Sequence, residues 1–262
     1  MLKIEQLLAT CEAAARAGGE QLLAWRGRFS TQEKADRDFV TDADLASQEA
    51  IRAVILDGFP DHGFLGEESP DPSQLERPYC WVVDPLDGTT NYIHDYPFFA
   101  VTVAVAQAGR LVVGAILDPL REELFLAAAG RGATLSGKPL APSRTVELRE
   151  ALLAVSFPPK MDSKMPDVKA FLQTAPLCQA VRRTGSAALN LAYVACGRLD
   201  AHWAYQIHPW DSAAGVLLVQ ESGGVATSVL GDDYDLSSGD YLATATAQLH
   251  RTLQPMMISS SQ

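Results

Sequence analysis

From Leu2 to about Trp25 apolar residues recur at helical spacing (Leu7, Leu8, Cys11, Ala14, Ala15, Leu22, Leu23), which predicts an amphipathic helix with Gly18-Gly19 as a soft spot. Arg28 to Asp42 is charged and aperiodic, so it reads as a loop or loose hairpin, with Lys34 a solvated lysine. Thr41 and Asp44 have the spacing of a capped helix start, and the helix runs to Gly58 with Ala46, Ala50, Ala53 and Val54 on one face. Phe59-Pro60-Asp61 turns the chain, and Phe64-Leu65 is a short strand. The apolar run Tyr79-Cys80-Trp81-Val82-Val83 reads as a buried strand that stops at Asp84-Pro85.

Beyond that strand, Phe98 to Val105 and Arg110 to Leu117 form a hairpin around Gln107-Ala108-Gly109, and Glu122 to Ala127 and Ala133 to Leu135 add short strands. This antiparallel-leaning sheet makes residues 1–148 an α+β lobe. The chain turns polar from Arg144 to Glu150, and a strand at Ala151 to Ser156 opens a second lobe, 149–262. After the breaker-rich loop at Pro158-Pro159-Lys160 come a helix (Val168 to Gln173), a strand (Gln179 to Arg183), a helix (Ser186 to Cys196), a strand (Leu199 to Ile207) and a helix (Pro209 to Glu221). That alternation is an α/β pattern.

At 262 residues, one unit of two lobes fits better than independent domains. Lys+Arg 21 against Asp+Glu 32 gives a net charge of -11, which argues against a nucleic-acid or acidic-membrane surface. The N-terminus carries charges unlike a signal peptide, and no apolar run is long enough to span a bilayer. Cys11, Cys80, Cys178 and Cys196 are scattered in apolar contexts, as buried reduced thiols are. A cytoplasmic enzyme fits these features.

The chemistry concentrates in Asp84-Pro85-Leu86-Asp87-Gly88-Thr89-Thr90-Asn91. Two nearby carboxylates repel, so one binds a proton or both share a cation, and a hard divalent ion suits oxygen ligands. A helix opening after Gly88 would add N–H groups for an anion. Read alone, D-x-x-D-G fits a tight turn with both acids as caps better than a metal site, because short patterns recur by chance.

That stretch resembles the central signature of the inositol monophosphatase family of magnesium-dependent, lithium-sensitive phosphatases. Gly66-Glu67-Glu68-Ser69, Arg183-Thr184-Gly185-Ser186-Ala187-Ala188 and Trp210-Asp211-Ser212-Ala213-Ala214-Gly215, with Glu221-Ser222-Gly223-Gly224 behind it, resemble the family's other motifs in order. The resemblance covers essentially the whole chain. It implies a layered αβαβα sandwich, a homodimer, and two or three Mg2+ ions acting on a small phosphate monoester.

Carried over residue by residue, Glu67, Asp84 and the Leu86 carbonyl hold one magnesium, and Asp84, Asp87 and Asp211 a second. Thr89, with Asp44 and Glu67, orients and deprotonates the attacking water, and Asp44 also stands near a third metal. Gly88 and Thr89 bind phosphate, while Gly185, Ser186 and Ala187 face the rest of the substrate. Without the resemblance, Asp44 and Asp211 read as helix-dipole acids and Glu67-Glu68 as loop carboxylates. Inositol-cleaving members carry a glutamate where this chain has Ala204, which a neighbour on the same strand face, Gln206 or His202, would have to replace. Inositol monophosphate therefore leads only by family frequency. Histidinol phosphate, a sugar bisphosphate such as fructose 1,6-bisphosphate, and a 3'-phosphoadenosine nucleotide are alternatives. Trp203 and Tyr205 are candidate base-stacking residues, although packing suits both better. An interaction protein with a structural metal site is the alternative of another class.

Overall fold

The computed structural model describes residues 4–158 and 160–261; Leu2 of the expected first helix, Pro159 and Gln262 lie outside the described residues. Helix α1 (Ile4–Trp25) is followed by a hairpin, β1 (Thr31–Ala35) and β2 (Asp38–Thr41), and by α2 (Asp42–Gly58). The Thr41/Asp44 capping box fixes where α2 starts and how it is rotated. Its buried face is Ser47, Gln48, Ile51 and Ile55, not the expected alanine face, on which Ala53 is exposed. Two polar residues sit on that face because each has a partner: Ser47 Oγ donates to Pro85 O, and Gln48 Oε1 accepts from Glu68 N.

Next come β3 (Gly63–Gly66), β4 (Tyr79–Asp87), the short helix α3 (Thr89–Ile93), β5 (Ala100–Gln107), β6 (Arg110–Asp118), β7 (Glu123–Ala128), β8 (Gly132–Leu135) and β9 (Lys138–Pro139). They form one sheet in the order β3-β4-β5-β6-β7-β8-β9, parallel only between β3 and β4. The chain continues as β10 (Leu152–Val155), α4 (Pro166–Thr174), β11 (Ala180–Arg182), α5 (Ala187–Ala195), β12 (Ala201–Ala204), α6 (Pro209–Ser222), β13 (Val225–Thr227), β14 (Tyr241–Thr244) and α7 (Ala247–Ser261). A second sheet runs β11-β10-β12-β14-β13, with β10 parallel to both β11 and β12. The expected strand from Leu199 to Ile207 is cut to four residues, because Gln206 takes a φ of 52° that no strand accommodates.

Strand alternation explains the layers. On β4 and β5, Trp81, Val83, Val101, Val103 and Val105 pack with Leu7, Leu22, Ile51 and Ile55 of α1 and α2. The opposite side chains, Val82, Ala100, Ala104 and Ala106, pack with Leu189, Leu191, Val216 and Leu218 of α5 and α6. Small residues on that face let the helices approach: a Cβ on Gly114 would lie 3.0 Å from the Ala214 Cα. The far face of the second sheet buries Leu153, Val155, Trp203 and Leu242 against Leu249, Leu253 and Met257 of α7. The result is the expected αβαβα sandwich, with α5 and α6 as its central layer. Trp203 and Tyr205 are both buried in this packing. All four cysteines are free, but Cys178 and Cys196 are only partly buried. No helix of the described residues is long and apolar enough to cross a membrane.

Candidate active site

Residues three apart on a regular strand point to opposite faces, so Asp84 and Asp87 need a local irregularity to converge. The register supplies it: Asp84 faces Thr102 and Asp87 faces Ala100, so β4 carries one residue more than β5 across this interval. Pro85-Leu86 is thus a bulge that re-aims the second acid. Leu86 N donates to Asp84 Oδ1 at 2.8 Å. The chain then turns at Gly88, whose φ of 97° suits glycine, and a Cβ there would lie 3.1 Å from Phe98 O.

Two helix starts complete the cluster. Asp87 accepts from Ser186 Oγ, from Ala188 N at 2.8 Å and from Ala187 N at 3.2 Å, so it sits on the N-terminus of α5. Asp211 caps α6, accepting from His208 N at 3.1 Å, and Thr102 Oγ1 donates to Trp210 O at 2.8 Å, which ties that helix start to the strand position facing Asp84. Asp84, Asp87 and Asp211 each bring a carboxylate oxygen to within 4.8 Å of the others. Glu67 follows β3 and extends its pairing with β4 through Glu67 N donating to Val83 O at 3.1 Å.

Burial, reinforced by the charges of Glu67 and Asp87, pushes the Asp84 and Asp211 carboxyls well above the usual carboxylate range. Burial also raises Asp87 to about 6 despite its hydrogen-bond donors. Lys34 is not a solvated lysine: its Nζ lies 3.0 Å from Glu67 Oε1 and 2.9 Å from Glu68 Oε1. Glu68 is a nearly buried acid that burial pushes up to about 7. A convergent, oxygen-only donor set with this much uncompensated negative charge fits a hard divalent cation. Beside it, Thr89 Oγ1 lies 3.4 Å from Asp44 Oδ1 and 3.2 Å from Leu86 O. Asp44 Oδ2 accepts from Thr41 N at 2.8 Å and Thr41 Oγ1 at 2.5 Å, while burial raises its carboxyl to about 6.

Of the residues expected at the site, Asp44, Glu67, Asp84, Leu86, Asp87, Thr89 and Asp211 are brought together. Gly88 and Gly185 are in contact range, a Cβ on the first lying 3.3 Å from the carbonyl oxygen of the second. Ser186 and Ala187 spend their donors on Asp87. Gln206 does not share a strand face with Ala204; it is exposed and lines a cavity of about 410 Å³ with Asp36, Asp38, Lys160, Asp167 and Tyr205, away from the acids. His202 is fully buried and its ring is held by Ser156, Asn190 and Tyr241, so it is not free to replace the missing glutamate either. Lys34 as the partner of both glutamates, Ser186 as a partner of Asp87, and Asn91, whose Nδ2 donates to Thr184 O at 2.9 Å, were not found from the sequence, because each of these contacts is to a residue remote in the chain.

A profile described as the inositol monophosphatase family matches residues 3–262. The chain is 40% identical over 256 residues to an inositol-1-monophosphatase of Synechocystis sp. strain PCC 6803, covering 96% of this chain and 88% of the relative. It is also 40% identical over 268 residues to the Nus factor SuhB of Pseudomonas aeruginosa, covering 96% and 97%. Among solved structures, the inositol monophosphatase from Anabaena (Nostoc) sp. PCC 7120 superposes with a TM-score of 0.86 at 38% identity, over 97% of this chain and 96% of that one.

Proposed function

The chain belongs to the inositol monophosphatase family, and we propose that it hydrolyses a small phosphate monoester, inositol monophosphate or a related sugar or polyol phosphate, with magnesium. The observation that carries this reading is the convergence of Asp84, Asp87 and Asp211 within 4.8 Å beside the Asp44–Thr89 contact. Glu67, Asp84 and the Leu86 carbonyl would hold one ion, Asp84, Asp87 and Asp211 a second, and a third would lie near Asp44. When bound, the ions supply Lewis acidity for the attacking water and the departing ester oxygen, and screen the phosphate.

The chain's own residues do the rest. Thr89 Oγ1 orients the water and passes its proton toward Asp44 Oδ1, while Thr41 holds the other Asp44 oxygen and so fixes the carboxylate plane. The N–H groups of Gly88 and Thr89 donate to a phosphate oxygen. One bond forms from the water oxygen to phosphorus, the ester P–O bond breaks, the leaving alkoxide takes a proton from solvent, and Asp44 gives the proton it received back to solvent. Ala204, fully buried, offers no acceptor for substrate hydroxyls, so leaving groups other than inositol compete.

The test is phosphate release from inositol monophosphates, sugar phosphates, histidinol phosphate and 3'-phosphoadenosine 5'-phosphate, with magnesium, with EDTA and with lithium. Turnover that needs magnesium and falls with lithium supports the reading; no turnover of any of them overturns it. One observation favours a second reading. The Pseudomonas relative carries the name Nus factor SuhB, and we infer as the alternative that this chain is an interaction protein with a structural metal site, its net charge of -11 favouring a protein over a nucleic-acid surface. Asp84→Asn separates the two, abolishing turnover and sparing partner binding. The working form in both readings is a cytoplasmic homodimer, which sedimentation showing only monomer would overturn.

A further inference from the structure

A chain of hydrogen-bonded polar side chains, fully buried at His202, Tyr241 and Asn190 and half-buried at Ser156, Thr184 and Asn91, runs from the second sheet to the end of β4. His202 on β12 is fully buried, with Tyr241 Oη 3.0 Å from its Nδ1 and Ser156 Oγ 3.1 Å from its Nε2. Asn190 Nδ2, on α5, lies 3.4 Å from the same Nε2. Thr184 Oγ1 donates to Asn190 Oδ1 at 2.8 Å. Thr184 O in turn accepts from Asn91 Nδ2 at 2.9 Å, and Asn91 Nδ2 also donates to Phe98 O at 2.6 Å.

The hydrogen bonds as they stand fit one tautomer of the ring. Thr184 occupies Asn190 Oδ1, so the Asn190 amide nitrogen faces the ring and donates to Nε2, leaving the proton on Nδ1 toward Tyr241 Oη. Burial keeps the ring neutral by lowering its pKa to about 3. The chain ends at the Thr184-Gly185-Ser186 turn, whose two ends are held differently. Thr184 is gripped by Asn190 and Asn91, while Ser186 Oγ, Ala187 N and Ala188 N donate to Asp87. At the middle of the turn Gly185 has a φ of 88°, and a Cβ there would lie 2.8 Å from the Asn91 amide. The turn therefore has no slack: a shift at Thr184 is passed to the groups that aim the Asp87 carboxylate.

We propose that His202 is a positioning residue of the active site, acting through Asn190 and Thr184 to fix the turn that orients Asp87. It touches neither substrate nor metal; it sets where one metal-ligating carboxylate points. This inference rests on the reading of Asp87 as a ligand.

The test compares the full-length protein with His202→Phe, His202→Gln and Thr184→Val, measuring Mn2+ affinity by calorimetry and kcat with saturating metal, below the unfolding temperature of each. His202→Phe and Thr184→Val should each weaken Mn2+ binding about tenfold, the scale of losing a group that orients a ligand, and lower kcat with little change in KM. His202→Gln, which can put an acceptor near the Nε2 position, should recover most of both. The His202→Phe, Thr184→Val double variant should be no worse than either single one, because both cut the same chain. Normal Mn2+ affinity in a variant that only melts earlier overturns the proposal, as do losses that multiply in the double variant. If His202→Phe does not fold, Thr184→Val, at a half-buried position, decides alone. A wild-type protein without turnover would refute the phosphatase reading, and the Mn2+ affinities would still decide the positioning role.

Discussion

The metal-free protein should lose stability as the pH rises through about 6, and magnesium should restore it. The perturbation is pH in the presence of EDTA. Asp44 and Asp87 are both raised from 3.8 to about 6, so the folded state holds their protons more tightly than the unfolded chain does. For a carboxyl raised in this way, the stabilising contribution is complete below the unfolded value and is lost as pH rises through the folded one. Each shift corresponds to roughly 3 kcal/mol at pH well above 6, at 1.36 kcal/mol per pK unit. With about 2–4 °C of Tm per kcal/mol for a chain of this size, one such group accounts for roughly 6–12 °C. Asp84 and Asp211 act in the same direction. A cation bound among these acids removes the repulsion and adds its own binding energy, so the rise in Tm on adding magnesium should be several degrees larger at pH 7.5 than at pH 5. Differential scanning fluorimetry at the two pH values, with Asp87→Asn as control, measures this. A magnesium shift equal at both pH values, or larger at pH 5, would show that proton release from these carboxyls does not limit the stability of the metal-free protein, as would an unchanged shift in Asp87→Asn.

Asp84→Asn, close in shape but uncharged, should raise the Tm of the metal-free protein and lower kcat at least ~100-fold, the scale for removing one charge-stabilising group; turnover and melting on the same preparation check both. Gly88→Ala should lose about 1 kcal/mol or more through its φ of 97° and crowd Phe98 O, so kcat should fall further than stability does, as paired melting and kinetics would report. Glu123→Gln breaks the two-pronged pair in which Arg198 nitrogens lie 2.5 Å from both Glu123 oxygens, joining β7 to the segment before β12. With Arg198 40% exposed and solvent screening the pair, about 1 kcal/mol and a Tm loss of a few degrees are expected in urea or thermal melts, with no change in kcat.

The legible parts of the chain were those with local causes. Helical spacing around Leu7 to Leu22, the Thr41/Asp44 cap and the turn at Gln107 to Gly109 each name their element from a few adjacent residues. The convergence of Asp84, Asp87 and Asp211 was legible through ordered motifs. What stayed hidden was set by distant partners. The face of α2 turned on Ser47 and Gln48, polar residues whose burial depends on Pro85 O and Glu68 N on other elements. Lys34 looked solvated because Glu67 and Glu68 lie beyond α2 in the chain. The early end of β12 follows from a positive φ at Gln206, a non-glycine residue whose type gives no warning. Nothing local predicted β13, β14 or α7, whose helix carries Pro255 within it. The Pro85-Leu86 bulge, which makes two acids converge, appears only when β4 is laid beside β5.

The proposed role of the buried acids is to hold divalent metal for phosphate-ester hydrolysis. Its most direct test is anomalous diffraction from crystals soaked in Mn2+ and inorganic phosphate. Manganese peaks are expected within coordination distance of Asp84, Asp87 and Asp211, with phosphate toward Gly88 and Thr89. Fully occupied manganese elsewhere, with none between these carboxylates, would contradict it.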